Sequence, residues 1–209
     1  MSDRHSKKKV AIFISGRGSN MQSLIDDMQN DTSHPGKPEL VISNNKEAKG
    51  LDFSKDRNVE TIIFPSNGKK KQKRFEIDAL EILEKRKIDL ICLAGFMNIL
   101  SSFFINSFGK KILNIHPSIL PSFKGLNTHE RAIKYGSIIH GATVHGITER
   151  LDEGPIFGQV IISVPKGVNS KVLSNLLLPY EHLLYKKVLR EQLIQNRDRV
   201  LLIEESLNT

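Results

Sequence analysis

The segment Ile88-Asp89-Leu90-Ile91-Cys92-Leu93-Ala94 is apolar at every position but Asp89. A strand with one wet face alternates polar and apolar residues, so a run without alternation is covered on both faces. Such a strand belongs inside a parallel sheet with helices above and below. Lys9-Val10-Ala11-Ile12-Phe13-Ile14, Leu40-Val41-Ile42-Ser43, Thr61-Ile62-Ile63-Phe64 and Lys110-Lys111-Ile112-Leu113-Asn114-Ile115 also read as strands. Between them the apolar spacing turns helical. Met21, Leu24, Ile25 and Met28 share one helical face, and Arg74 to Lys87 carries Phe75, Leu80, Ile82 and Leu83. Strands alternating with helices predict an α/β fold with a mainly parallel, Rossmann-like sheet and helices on both faces.

After residue 137 the texture changes. Ile138 to Thr148 and Phe157 to Val164 read as two strands joined by a turn at Asp152-Glu153-Gly154-Pro155, which predicts an antiparallel C-terminal pair. Ser170 to Gln195 reads as a long helix that Pro179 should kink or restart. No repeat or low-complexity linker interrupts the chain. The expected organisation is a polar, basic tail over 1–9 and a single domain over 10–209.

Composition removes several function classes. With 39% hydrophobic and 26% charged residues, the chain is an ordinary globular protein rather than a disordered one. One cysteine, Cys92, excludes an internal disulfide framework and a Cys-rich zinc site. Its apolar neighbours predict a buried, inert thiol. No stretch approaches the roughly 18 apolar residues of a membrane span. The start of the chain is polar and lacks the apolar core of a signal peptide, so a cytoplasmic protein with no membrane partner is expected. The net charge of +8 is concentrated in the tail and in Lys69, Lys70, Lys71, Lys73 and Arg74, which leaves the rest of the chain neutral. A nucleic-acid surface spreads its cations among aromatic platforms, and here there is no Trp and only three Tyr. The charge therefore reads as a solvated tail and loop, the loop being able to attract a small anion, and no nucleic-acid partner is expected.

Three segments can carry chemistry. Ser15-Gly16-Arg17-Gly18-Ser19-Asn20 lies between a strand and a helix. It is either a plain turn or an anion cradle, in which glycines admit a ligand to the free N–H groups of the helix start. Met21 stands where a dinucleotide fingerprint needs its third glycine, and no Gly-Lys-Ser/Thr follows, so neither standard phosphate motif applies. Asn114-Ile115-His116-Pro117 ends a buried strand, with Asn114 and His116 on the same side of it. An amide beside an imidazole suits an oxyanion, although a histidine at a strand end is also common as structure. Ser118 lacks a Gly-x-Ser-x-Gly frame, so a serine hydrolase is set aside. Leu151-Asp152-Glu153-Gly154-Pro155 is a turn whose carboxylate could orient His116. His140 and His145 are five apart, which does not match the helical spacing of metal ligands. His145 reads as a supporting or packing residue, and no metal is expected.

These segments resemble the phosphoribosylglycinamide formyltransferase family. The resemblance continues in order through Leu93-Ala94-Gly95-Phe96-Met97-Asn98-Ile99-Leu100, Asn114 to Pro121, Lys124 to His129, His140 to His145, Leu151 to Pro155 and Glu181 to Tyr185. It implies the formyltransferase fold and transfer of a formyl group from 10-formyltetrahydrofolate, as cosubstrate, to the amine of glycinamide ribonucleotide in purine synthesis. It further implies that Asn114 and His116 hold and protonate a tetrahedral intermediate while Asp152 assists. Gly18, Ser19, Asn20 and Glu181 would take the ribonucleotide. Met97, Asn98, Ile99, Leu100 and Asn114, with Thr148, Glu149, Arg150, Leu151 and Asp152, would form the folate pocket. A monomer or homodimer is expected.

The chain departs from the family pattern at Asn127, where histidine is usual, and at Asn98 and Gln72, where arginine is common. Lys71, Lys73 or Arg74 is then expected to meet the folate's glutamate tail. Two families share the Asn–His–Asp set. Formyltetrahydrofolate deformylases normally add an N-terminal domain and methionyl-tRNA formyltransferases a C-terminal one, and the chain length is expected to leave room for neither.

Overall fold

The computed structural model describes residues 6–65, 68–196 and 198–204. The elements run β1 (Lys8–Ile14), α1 (Ser19–Asn30), β2 (Gly36–Ser43), α2 (Gly50–Asp56), β3 (Glu60–Ile63), α3 (Lys69–Lys85), β4 (Leu90–Leu93), α4 (Ser102–Phe108), β5 (Lys111–His116), α5 (Thr128–Lys134), β6 (Ile139–Gly146), β7 (Ile156–Ser163), α6 (Ser170–Leu193) and β8 (Val200–Ile203). The strands form one sheet in the order β3-β2-β1-β4-β5-β6-β7-β8. From β3 to β5 all neighbours are parallel. β6 is antiparallel to both β5 and β7, as expected for the C-terminal pair, and β8 adds in parallel to β7.

The unalternating strands are buried on both faces, as their sequence requires. Val10, Ile12 and Ile14 pack with α1 and α6, through Met21, Leu24, Leu177 and Leu184. Ala11 and Phe13 pack on the other face with Phe75, Ala79 and Leu83 of α3 and Phe104 of α4. Cys92 is fully buried, and burial pushes its thiol up to about 12, so it is inert at neutral pH. The Tyr185 hydroxyl lies 3.1 Å from the carbonyl oxygens of both Leu93 and Leu113, tying α6 to β4 and β5.

Three expectations need correction. Lys8 and Lys9 belong to β1 rather than to a tail, and Met1 to His5 lie outside the described residues. Lys9 snorkels, its Nζ reaching Glu39 Oε1 and the Arg86 carbonyl, both at 2.9 Å, while its stem stays at the sheet edge. The lysine cluster is the start of α3, not a loop, because lysine is a good helix former once Gly68 has turned the chain. Pro179 does not restart the helix, since α6 runs through it. Leu173 and Leu177 before the proline, and Leu184 and Tyr185 after it, bury both halves in the same core, which outweighs one missing hydrogen bond.

α1 and α6 are clamped at the surface. Arg190 donates Nε and Nη2 to the two Asp27 carboxylate oxygens at 3.0 Å and Nη1 to Asp31 at 2.6 Å. Hydrogen bonds from Ser33 and Arg190 hold the Asp31 carboxyl well below the usual range. A depressed carboxyl stabilises the fold above its unfolded pKa and loses that contribution as pH falls toward its folded value. Arg190→Gln is therefore expected to melt at a lower temperature near neutrality. Its gap to the wild type should close as pH falls below about 4. Thermal melts across that range check it, and a gap that stays constant to about pH 3 contradicts it.

Candidate active site

The strand order reverses beside β1, between β2 and β4, and in an open parallel sheet ligands bind in the crevice at the carboxyl ends there. Two loops leave that edge. The loop after β1 enters α1 through Gly18, whose φ of 69° is left-handed. That conformation calls for glycine, and a Cβ there would lie 3.1 Å from Met21 Cε and 3.4 Å from Gly50 Cα. The first bond of this turn runs from Gln22 N to Gly18 O, and no side chain caps the helix. Its leading N–H groups are therefore the ones a helix start offers to an anion.

Asn20 is buried and donates Nδ2 to Glu181 Oε2 at 2.8 Å, while its Oδ1 has no partner. Burial pushes the Glu181 carboxyl up, against the effect of the Asn20 hydrogen bond. The expected ribonucleotide set of Gly18, Ser19, Asn20 and Glu181 thus lies together, although 161 positions separate Asn20 from Glu181.

The loop after β4 is joined to the first, since Ser15 N donates to Gly95 O and Met97 N to Ser15 Oγ. Met97 and Ile99 are 67% and 70% exposed and, with Phe103, Gln72 and Lys73, line a hollow of about 880 Å³. Leu100 is buried in the core instead, and does not line the hollow. Asn98 Nδ2 donates to Gln72 Oε1 at 2.5 Å, and Gln72 Nε2 donates to Ile99 O and Glu76 Oε1. The two positions where arginine is common in the family therefore hold each other here. Arg74 is paired with Asp78 at 2.8 Å, and Lys73 lines the hollow.

β5 brings the chemistry to the same crevice. Ile112, Asn114 and His116 point to the α3/α4 face of the sheet, and among the described residues the apolar cluster on that face takes in nothing from β6 or β7. The segment after His116 lies over it instead. Leu120 N donates to Thr143 Oγ1, and Gln159 Nε2 donates to Leu120 O. Asn114 is paired in register with His145, and Asn114 Nδ2 lies 3.2 Å from His145 Nε2. His145 Nδ1 lies 2.8 Å from Gly146 O, which can only accept, so the network places the proton on Nδ1 and makes Nε2 the acceptor of the Asn114 amide. Burial lowers the pKa of His145, which keeps it neutral and fixes which way the Asn114 amide faces.

His116 Nε2–H donates to the Phe123 carbonyl at 3.0 Å, and Nδ1 faces Asp152 Oδ2 at 3.6 Å. Asp152 reaches this position at the end of the β6–β7 turn, with φ 54°, and accepts the Gly125 N–H at 2.8 Å. Gly154 permits the turn, because a Cβ there would collide with the Gly146 carbonyl at 1.7 Å. Thr148 bonds the Arg150 carbonyl within the turn, Glu149 and Leu151 are exposed, and Arg150 lies 3.6 Å from Glu153. The structure thus brings Asn114, His116 and Asp152 together and leaves the Glu149–Leu151 side chains at the rim.

Sequence reasoning gave His145 a supporting or packing role, and missed the parts of Phe123 and Gly125 in holding this trio. The β5–β6 pairing that sets His145 opposite Asn114 was the available signal. His140 and His145 both lie inside β6, on opposite faces. His140 Nε2 lies 3.0 Å from His129 Nδ1, and burial lowers the His140 pKa to about 4. At Asn127 the backbone is left-handed, with φ 57°, a conformation asparagine tolerates better than most residues. Among the described residues, no His, Cys, Asp and Glu cluster could hold a metal ion, and no helix is long and apolar enough to cross a membrane.

The formyl transferase family model matches residues 8–189. The phosphoribosylglycinamide formyltransferase of Haemophilus influenzae is 40% identical over 75% of this chain and 74% of that protein. The trifunctional purine biosynthetic protein adenosine-3 of Homo sapiens is 41% identical over 88% of this chain, which spans only 18% of that longer protein. The crystal structure of phosphoribosylglycinamide formyltransferase from Anaplasma phagocytophilum superposes with a TM-score of 0.86 and 35% identity, covering 95% of this chain and 99% of that one.

Proposed function

The chain belongs to the phosphoribosylglycinamide formyltransferase family, and we propose that it moves the formyl group of 10-formyltetrahydrofolate onto the amine of N1-(5-phosphoribosyl)glycinamide. The observation that carries this reading is the meeting of the Asn114 amide, the His116 imidazole and the Asp152 carboxylate beside the crevice at the carboxyl edge of the sheet. Acyl transfer to an amine needs a donor for the oxygen that becomes an oxyanion, an acid to protonate it and a route for the amine proton.

In this reading the Asn114 amide has two N–H groups. His145 takes one of them and leaves the other for the formyl oxygen. His116 supplies the second donor and the proton, as the oxyanion replaces the Phe123 carbonyl at Nε2. Asp152 faces the opposite ring nitrogen, where a positive imidazolium is paired, and takes up the amine proton through water. As the carbonyl re-forms, its hydroxyl proton returns to His116, the folate nitrogen receives through water the proton that Asp152 took from the amine, and the C–N bond to the folate breaks, leaving formylglycinamide ribonucleotide and tetrahydrofolate. The Gly18–Asn20 loop would hold the phosphate, and Glu181 the ribose hydroxyls. The hollow suits the folate, with Met97, Ile99 and Phe103 against its rings, and the resemblance assigns its polar edges to backbone groups of Met97 to Leu100 and Thr148 to Asp152.

A folate absorbance assay tests the reading. Consumption of 10-formyltetrahydrofolate should require the ribonucleotide, and consumption without it would instead indicate hydrolysis to formate. Lys73 is assigned to the folate's glutamate tail. Lys73→Gln should raise the folate KM roughly fivefold, more for polyglutamylated folate, as expected for a partly screened ion pair. Arg74→Gln, which removes a side chain engaged with Asp78, should leave it unchanged. Equal folate KM values for the wild type and Lys73→Gln would remove Lys73 from the site.

A further inference from the structure

The Gly16–Asn20 loop has a second wall, made by the start of α2. Gly50 N donates to Gly16 O at 3.1 Å, and a Cβ placed on Gly50 would lie 3.1 Å from the Arg17 carbonyl. Together with the 3.4 Å between a Gly18 Cβ and Gly50 Cα, this sets the two backbones in direct contact with no side chain between them. Lys49 is the residue before Gly50, one Cα step of about 3.8 Å from that contact. Lys49 and Arg17 are both exposed, and among the described residues neither side chain forms a hydrogen bond or ion pair. The nearby Lys46 is engaged with Glu47. Two uncommitted cations therefore flank the loop, one on it and one on the wall packed against it.

A phosphate monoester carries about −1.5 to −2 charges near pH 7. A helix N-terminus offers the equivalent of about +0.5, too little to balance it. We propose that Lys49 and Arg17 supply the missing countercharge, so that the crevice selects a phosphorylated ribose over the unphosphorylated one. The proposal rests on the loop being the ribonucleotide's phosphate site. It adds two side chains that touch the ligand's charge and not its reacting atoms.

The double variant Lys49→Gln/Arg17→Gln should raise the KM for glycinamide ribonucleotide roughly tenfold, a size expected of two solvent-facing ion pairs. Its kcat at saturating ribonucleotide and its folate KM should match the wild type. Lys49→Arg should keep the wild-type KM. The tenfold difference should fade as salt approaches 1 M, where the Debye length is about 3 Å. An unchanged ribonucleotide KM, or a loss confined to kcat, would overturn the proposal. If the wild type shows no ribonucleotide-dependent turnover, it is the functional reading that fails. Calorimetry with ribose 5-phosphate and with ribose then decides this inference. Preference for the phosphorylated sugar that is lost in the double variant supports it, and equal binding to wild type and variant overturns it.

Discussion

Replacing His116 by alanine is expected to lower kcat by about three orders of magnitude while both KM values stay within roughly threefold. Removing one oxyanion donor typically costs about 10²–10³ in kcat, and general-acid catalysis contributes about 10²–10⁴. The two contributions overlap in one side chain, so they do not multiply. His116 is buried, and among the described residues its ring meets the Phe123 carbonyl and the Asp152 carboxylate, the latter keeping its bond from Gly125 N when the ring is removed. The variant should therefore fold, with a cooperative melt and a wild-type circular dichroism spectrum. Steady-state kinetics with both substrates varied would read the effect. A kcat within tenfold of wild type in a folded variant would mean that another group protonates the intermediate.

Asp152→Asn is the sharper substitution, and it is expected to cost about 10²-fold or more in kcat with little change in stability. Asparagine keeps the shape of the side chain and suits the left-handed backbone at φ 54°. Its oxygen can still accept the Gly125 N–H, which Asp152 holds at 2.8 Å. What disappears is the negative charge facing His116 Nδ1 at 3.6 Å and the ability to take up a proton. Asp152→Ala removes the Gly125 tether as well and leaves that N–H short of a partner, so it should also melt earlier, by about 1–3 kcal/mol. Comparing kcat and melting temperature across the two variants separates the roles. Asn and Ala variants with equal activity and stability loss would mark Asp152 as a structural tether alone, and a fully active Asn variant would remove its charge from the reaction.

Much of the fold was legible because burial leaves a pattern. The unalternating run at Ile88–Ala94 required cover on both sides, and β4 has it. The apolar spacing at Met21 to Met28 placed α1. The short helices α2, α4 and α5 were missed, because seven residues give too few turns for a helical period to stand out. β8 was missed because Val200 to Ile203 is a four-residue apolar run, too short for periodicity to tell a strand from a helix end. At Pro179 the expected restart of the helix does not occur, since the residues on either side of it are buried in one core.

Among the site residues, the order and spacing of motifs named Asn114, His116, Asp152, the Gly18–Asn20 loop and Glu181 before any coordinates. They did so through resemblance and through what side chains of that type can do. Distance was beyond them. Whether Asp152 reaches His116, whether Asn20 meets Glu181, whether Gln72 closes on Asn98 and whether Lys73 rather than Arg74 faces the hollow all depend on how separate elements pack. The sequence by itself determined the strand faces, the glycine turn and the kinds of chemistry available, because these follow from periodicity, backbone freedom and functional groups along the chain. Only the tertiary structure decided which groups act together, because the sheet's reversal beside β1 and the antiparallel return of β6 bring distant segments to one edge.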